Sequence, residues 1–217
     1  MNKKPEQRIF NLSEIKIEQR EEGKPPAIIG HAAVFNEQTE IWWFKEEIMP
    51  GAFKNALKKS DTRALFNHDP NWILGRNKAG TLKLKEDDNG LAVEIMPPET
   101  QLVKDMVLTP MERGDLSQMS FAFTVKEEQW TEKKDEMPIR SIVEVDELFD
   151  VSVVTYPAYP TTDAKLRSAK EVYDEHLKEV AKRESDTKEE QEKQDAIKRK
   201  QIEKDLQLKD LQIKVKQ

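Results

Sequence analysis

Residues 81–95 read TLKLKEDDNGLAVEI, in which apolar and polar side chains alternate on both sides of the turn-forming residues 87–90. Alternation with a period of two is typical of a strand with one buried face. Asn-Gly is a strong signal for a tight turn, because glycine tolerates positive φ. The segment therefore predicts a β-hairpin and favours a chain built mostly from strands.

Similar apolar or alternating runs recur along the first 163 residues, separated by polar or proline-containing segments. Residues 126–138 are polar and predict a long hairpin loop, and Pro157 and Pro160 are expected to end the last strand. The strands predicted outside the 81–95 hairpin are 9–17, 27–35, 64–66, 119–125, 139–145 and 148–155.

Two segments between these strands have helical spacing. Residues 52–59 place Phe53, Ala56 and Leu57 at positions i, i+3 and i+4, and predict a short helix. Residues 99–112 predict a longer helix that stops near Gly114. Its apolar side is expected to carry Leu102, Val103, Met106 and Val107. Both helices are expected at the periphery of the strands.

Residues 164–217 form a second region, a charged tail that contains neither glycine nor proline. A long solvated helix is predicted there, with a thin apolar stripe that is interrupted over residues 185–194. Two interpretations stay open. The tail is either a scaffold-like segment whose stripe pairs with another helix, or a disordered, solvated extension of a domain at residues 1–163.

Charge and composition exclude several classes of function. The tail has 15 basic and 13 acidic residues, whereas residues 1–163 have 21 basic and 29 acidic ones, so no concentrated basic face is available to bind nucleic acid. There is no cysteine for disulfides or thiol catalysis, and no apolar run is long enough to cross a bilayer. No signal peptide follows the basic start, and the chain is expected to be cytosolic.

Three polar groups follow one another in the chain order histidine, serine, carboxylate. His68 follows the apolar run 64–66, and two serines, Ser120 and its alternative Ser117, are candidates for the nucleophile. A serine hydroxyl attacks an amide only when an imidazole removes its proton and a carboxylate orients that imidazole, so these residue types suffice for acyl transfer. From position alone, His68 also suits a turn held by Asp69, and Ser120 also suits the wetter face of a strand.

The carboxylate lies within residues 146–150. Regular alternation would place Asp150 with Leu148 and Ser152 on one face of the strand, and Glu147 on the other face. An acid bracketed by apolar strand residues is desolvated unless a neighbouring imidazolium stabilises its charge. Asp150 fits this description best, and Glu147 is the alternative.

Other chemistry is poorly supported. The chain lacks a His-Glu-x-x-His zinc motif and a glycine-rich phosphate loop, so neither a metal nor another cofactor is expected. A serine esterase or amidase acting on small molecules is a further candidate, but no Gly-x-Ser-x-Gly sequence is present.

Six short motifs, in this order, resemble the prohead maturation proteases of tailed bacteriophages, which share the fold of the herpesvirus capsid-assembly proteases. The motifs are Phe35-Asn36, Pro50-Gly51-Ala52-Phe53, Asn67-His68-Asp69, Leu74-Gly75-Arg76, Met119-Ser120-Phe121-Ala122-Phe123 and the run from Asp150 to Ala158. The resemblance covers residues 28–164. It implies that His68 is the general base and Ser120 the nucleophile. Herpesvirus relatives use a second histidine as the third member, but no histidine lies between Ser120 and His176, so Asp150 is implied.

The strands and the resemblance together predict a mostly β, α+β domain: a closed or nearly closed, barrel-like antiparallel sheet with peripheral helices, followed by the helical tail. The resemblance implies a serine endopeptidase that cleaves scaffold and major capsid protein segments, and itself, inside the assembling procapsid in the host cytoplasm. A homodimer is left open, because herpesvirus relatives are activated by dimerisation. The alternative is a non-catalytic capsid assembly or scaffolding protein with the same fold.

Overall fold

Strands make up most of the first 156 residues of the computed structural model, which describes residues 5–9, 15–20, 25–156 and 163–214. In chain order they are β1 (Glu6–Ile9), β2 (Lys16–Glu18), β3 (Ala27–Val34), β4 (Thr39–Ile41), β5 (Phe44–Ile48), β6 (Arg63–Phe66), β7 (Asp69–Arg76), β8 (Leu82–Glu86), β9 (Gly90–Ile95), β10 (Gln118–Thr131) and β11 (Ile139–Val154). The expectation of a mostly β, α+β protein is confirmed.

The larger sheet contains seven strands in the order β1-β10-β11-β5-β4, and β6 joins it by pairing with both β11 and β7. The long β10–β11 hairpin is antiparallel. β11 also pairs in parallel with β5 along its first part and with β6 along its last part. The prediction of an antiparallel sheet is therefore wrong for these two pairings, and the described strands form no closed barrel.

The smaller sheet has the order β2-β3-β9-β8. Its β8–β9 hairpin confirms the prediction for residues 81–95. The need for Gly90 has a different cause from the expected one. A Cβ at Gly90 would overlap the carbonyl oxygen of Ala33 on the neighbouring strand, so close approach of two backbones requires the glycine there.

Apolar side chains from both sheets form one core. Phe121 and Phe123 of β10 stack with their ring centroids 4.7 Å apart, and Phe53 packs edge-on against Phe121 at 5.7 Å. Successive strand residues point to opposite faces. Because Met119, Phe121 and Phe123 lie in the core, Ser120 and Ala122 between them lie on the other face of β10. This alternation determines where the candidate nucleophile lies.

The helices differ from the predictions in length and in orientation. Helix α1 spans only Ala56–Lys59. Helix α2 (Gln101–Val103), a π-helical turn (Lys104–Leu108) and helix α3 (Thr109–Arg113) replace the predicted helix at 99–112, and Gly114 ends α3 at φ 83°. Val103, Val107 and Met111 are buried at four-residue spacing, whereas Leu102 and Met106 are exposed. The predicted apolar side is therefore only half right.

Strand boundaries also differ. The predicted loop at 126–138 is wrong over its first half because β10 continues to Thr131, and the two strands predicted at 139–145 and 148–155 are one strand, β11. The strand predicted at 9–17 corresponds to the ends of β1 and β2, which lie in different sheets. Its middle, residues 10–14, and the predicted strand ends at Pro157 and Pro160 lie outside the described residues.

Helix α4 spans Asp163–Lys214. The chain divides into two compact units, Met1–Ala169 and Lys170–Gln217, and the division at 163/164 stays a prediction. Side chains 181–201 are all exposed. Within the described residues, no helix is long and apolar enough to span a membrane.

Candidate active site

His68 lies in a two-residue turn between β6 and β7. Asn67 and His68 have φ angles of 53° and 58°, and Phe66 pairs with Asp69 across the turn. Two-residue hairpin turns of this kind require positive φ at both positions, a conformation that asparagine and histidine adopt more readily than most residues. The side chain of Asn67 bonds the backbone N–H and the hydroxyl of Thr155, both at 2.9 Å. The turn is thereby fixed next to the end of β11.

Ser120 lies on β10, directly opposite Ser152 of β11, and both serines are fully buried. Ser152 is in turn paired with Leu65 of β6, two residues before the turn that carries His68. Three adjacent strands therefore bring Ser120 and Ser152 close to His68, although they lie 52 and 84 residues from it in sequence.

A β-bulge determines where Asp150 points. Asp150 pairs with Ala122, but Leu148 pairs with the next residue, Phe123, so Phe149 is an extra residue in β11. Asp150 therefore shares the face of Ser120 and Ala122, while Leu148 turns into the core. The predicted grouping of Asp150 with Leu148 on one face is wrong.

The side chains of His68, Ser120 and Asp150 meet in a linear array. Nε2 of His68 is 2.6 Å from Oγ of Ser120, and Nδ1 of His68 is 2.6 Å from Oδ1 of Asp150. The side chains of His68 and Asp150 are only 12% and 11% exposed, so water competes weakly for these bonds. An imidazole held in this way has one nitrogen facing a hydroxyl and the other facing a carboxylate, which is the arrangement for general-base activation of serine.

Ser152 completes the site and was not among the predicted site residues. Its hydroxyl donates to Oδ1 of Asp150 at 2.6 Å and accepts from the backbone N–H of His68 at 3.3 Å. It also lies 3.3 Å from Nδ1 of His68. The sequence does contain one indication of this role. Ser152 lies two residues after Asp150, so both side chains are on the same face of a strand.

The two alternative residues lie apart from this array. Ser117 is exposed in the segment before β10 begins. Glu147 is exposed on β11, where it pairs with Thr124. The imidazole of His68 is instead bonded on its two sides by Ser120 and Asp150.

A family model describing the caudovirus prohead serine proteases matches residues 13–179, which include all three members of the array. The chain belongs to this family. The resemblance deduced from the sequence motifs is thus confirmed, and with it the association with bacteriophage capsid maturation.

Among solved structures, this prohead serine protease is similar to the bacteriophage T4 capsid assembly protease gp21. The similarity covers 71% of this chain and 100% of the T4 chain, at 13% sequence identity and a TM-score of 0.42. No curated protein has significant sequence similarity to the chain.

Proposed function

We propose that this chain is an active serine endopeptidase that cleaves scaffold and major capsid protein segments, and itself, during procapsid maturation. The observation that carries the proposal is the contact of His68 with Ser120 on one side and Asp150 on the other, inside a member of a serine protease family.

In the proposed mechanism, Oγ of Ser120 attacks the carbonyl carbon of a peptide bond while Nε2 of His68 takes the hydroxyl proton. Asp150 accepts the Nδ1–H bond and stabilises the imidazolium that forms. The tetrahedral intermediate then collapses as His68 gives its proton to the leaving amine, which leaves an acyl-enzyme on Ser120. Water, deprotonated by His68, releases the new carboxyl group and restores the serine.

The partners follow from family membership. The substrates are scaffold and capsid protein segments, which the protease meets inside the procapsid in the host cytoplasm. Helix α4 is then a scaffold-like segment that pairs with another helix during co-assembly, and a homodimer is the simplest oligomer compatible with the resemblance to herpesvirus proteases.

Co-expression of the chain with its major capsid and scaffold proteins, followed by intact-mass spectrometry, tests this function. Ser120→Ala is expected to abolish all cleavage. Ser117→Ala is the matched control, because it removes an exposed hydroxyl three residues away, and cleavage is expected to persist. Processing that is unchanged in both Ser120→Ala and His68→Ala would instead identify a non-catalytic assembly protein.

A further inference from the structure

The strand registers that bring the candidate residues together also place two arginines on the same face of the larger sheet. Asp150 of β11 pairs with Arg63 of β6, and Arg63 pairs in turn with Arg76 of β7. The side chains of directly paired residues share one face of a sheet. Ala64, which follows Arg63, points to the opposite face and into the core. Both arginines therefore lie on the face that carries Asp150.

Arg63 and Arg76 belong to a group of three cations that share one carboxylate, that of Asp61. Arg76 holds this carboxylate with two bonds, from Nε at 2.7 Å and from Nη2 at 2.5 Å. The contacts of Arg63 and Lys78 with the same carboxylate are longer, at 3.3 and 3.8 Å. The side chains of Arg63, Arg76 and Lys78 are 42%, 44% and 58% exposed. The group is therefore accessible to a ligand, and three positive charges against one negative charge leave a positive surplus.

The carboxyl group of Asp61 does not cancel this surplus. Its pKa is lowered to about 2, chiefly by the hydrogen bond from Arg76 and further by the charges of Arg63 and Lys78. Asp61 is thus already ionised at neutral pH, and the surplus remains although its negative charge is counted. Residues 1–163 as a whole contain 21 basic and 29 acidic residues, so this part of the chain is acidic. A local positive surplus on an acidic background favours a negatively charged partner at this place.

The proposed mechanism determines on which side of the cleaved bond these cations lie. Nε2 of His68 gives its proton to the leaving amine, so that amine must lie next to His68. His68 lies in the turn between β6 and β7, the two strands that carry Arg63 and Arg76. The substrate residues that follow the cleaved bond therefore leave Ser120 in the direction of these two strands.

The distance from the candidate nucleophile to the cations matches a short stretch of extended peptide. Strands β10, β11, β6 and β7 are successive neighbours in the sheet, and Ser120 lies on β10. Adjacent strands are about 4.8 Å apart, so β6 lies roughly 10 Å and β7 roughly 14 Å from β10. An extended chain advances about 3.4 Å per residue, so Arg63 and Arg76 can reach substrate residues at about positions two to four after the cleaved bond.

We propose that Arg63, together with Arg76 and Lys78, forms a subsite for acidic side chains that follow the cleaved bond at about positions two to four. This inference rests on the proposed peptidase function and adds a substrate preference to it. The substrate class is an extended segment with aspartate or glutamate shortly after the cleavage point. Arg63 is the principal contact, because Arg76 is already engaged by two bonds to the carboxylate of Asp61, whereas Arg63 makes only a longer contact with it.

Cleavage of a peptide library by the full-length chain tests this preference. The probe is a mixture of peptides from a digested bacterial proteome, and mass spectrometry of the new ends identifies the residues that follow each cleaved bond. We expect the wild type to select aspartate and glutamate at these positions about threefold over their frequency in the library, which is the scale of one exposed ion pair. Arg63→Glu is expected to abolish this selection and to favour lysine and arginine instead.

Two further variants and a matched control accompany Arg63→Glu. Lys78→Glu changes another member of the group and should weaken the acidic selection to below about twofold. Arg63→Lys keeps the charge and should retain the selection. Lys83→Glu changes the net charge by the same amount as Arg63→Glu, but its exposed side chain lies in the smaller sheet, so selection should equal that of the wild type. Because selection is a ratio between peptides in one digest, it does not depend on the amount of active enzyme.

Library cleavage without acidic selection by the wild type, or with selection unchanged in both Arg63→Glu and Lys78→Glu, overturns the inference. A fluorophosphonate separates this result from failure of the proposed function, because it labels an activated serine without any peptide on the leaving side. Labelling of Ser120 in the wild type, located by peptide mapping, leaves the proposed function intact when acidic selection is missing. Absence of both labelling and cleavage rejects the proposed function and the inference with it. Ser120→Ala provides the background.

Discussion

Ser152 links two members of the array, Asp150 and His68. Its buried hydroxyl donates to Asp150 and accepts from the backbone of His68, so it fixes the carboxylate relative to the turn. We expect Ser152→Ala to lower kcat for a peptide spanning the cleaved site by about ten- to a hundredfold, since loss of one hydrogen bond to a charged group costs roughly 1.5–3 kcal/mol. KM should change little, because Ser152 is fully buried.

Ser141→Ala is the matched control for Ser152→Ala. Ser141 lies on the same strand, and its hydroxyl donates to Glu47 at 2.7 Å, away from His68. Steady-state kinetics of both variants should show a loss of kcat only for Ser152→Ala. A kcat unchanged from wild type would mean that Ser152 serves packing alone.

Substitutions of Asp150 and Glu147 test which of the two acids acts with His68. Asparagine at position 150 would keep the shape of the side chain but remove the charge that stabilises the imidazolium and fixes its tautomer. We expect Asp150→Asn to reduce kcat by on the order of 10⁴, the size of effect reported for loss of a triad acid. Glu147→Gln removes an exposed charge three residues away and should leave kcat within about twofold, which is the scale of most surface substitutions. Comparable losses in the two variants would contradict the assignment of Asp150.

At the scale of elements, the β-bulge at Phe149 explains why strand periodicity misplaced the acidic residues. An alternation of two predicts Asp150 and Leu148 on the same face, but one extra residue in β11 sends Leu148 to the core and keeps Asp150 beside Ser120. Desolvation of an acid among apolar neighbours nonetheless pointed to the residue that contacts His68. The residue types therefore indicated Asp150, although strand periodicity grouped it with the wrong neighbour.

Local sequence patterns predicted other elements to different extents. The β8–β9 hairpin was predictable because both strands and the turn lie within fifteen residues. The parallel pairing of β11 with β5 and β6 was not, since it joins segments about ninety residues apart and leaves no periodic trace in either. The contact between Ser120 and Arg8 is equally non-local, so only the coordinates reveal it.

The two-residue turn at Asn67 and His68 supports a prediction about its conformation. A non-glycine residue at positive φ costs roughly 1–2 kcal/mol, and asparagine offsets part of this cost through local hydrogen bonds of its side chain. Asn67→Ala and Asn67→Gly both lose the bonds to Thr155, but only alanine meets the full conformational penalty. We expect Asn67→Ala to be less stable than Asn67→Gly by about 1 kcal/mol in urea unfolding.

Asn71, which follows in β7, provides the control for this turn. It lies outside the positive-φ residues and in a strand, where glycine is less stable than alanine by about 0.5–1 kcal/mol. The order of the two variants should therefore reverse at position 71. The same order of stability at both positions would mean that the positive φ of Asn67 does not determine the effect of these substitutions.

At the scale of the whole molecule, one sheet carries both the candidate site and an edge strand that contacts it. The candidate residues come from β10, β11 and the β6–β7 turn, and Ser120 donates to the backbone carbonyl of Arg8 in β1, at the edge of the same sheet. A buried ionic cluster couples β1 to β5, β10 and β11 through residues as far as 134 positions apart; its members are Glu6, Arg8, Glu46, Glu128 and Arg140. Folding of the larger sheet therefore brings all of these residues together in one step.

The ionic cluster also predicts how stability depends on pH. The pKa of Glu6 falls from an ordinary value of 4.5 to about 2 in the folded protein, because Arg8 and Arg140 outweigh the cost of burial. A depressed pKa adds stability that is complete above pH 4.5 and is lost as the pH falls toward 2. A difference of about 2.5 pKa units corresponds to about 3 kcal/mol.

Comparison of the wild type with Glu6→Gln isolates this contribution, because glutamine resembles the protonated acid and every other titrating group is shared. Urea unfolding at neutral pH should show the wild type to be more stable by about 3 kcal/mol, and the difference should shrink steadily as the pH is lowered below about 4.5. Asp61, whose pKa is also lowered to about 2, is present in both proteins and cancels. A difference that stays constant with pH would mean that Glu6 contributes through packing and hydrogen bonding rather than through its charge.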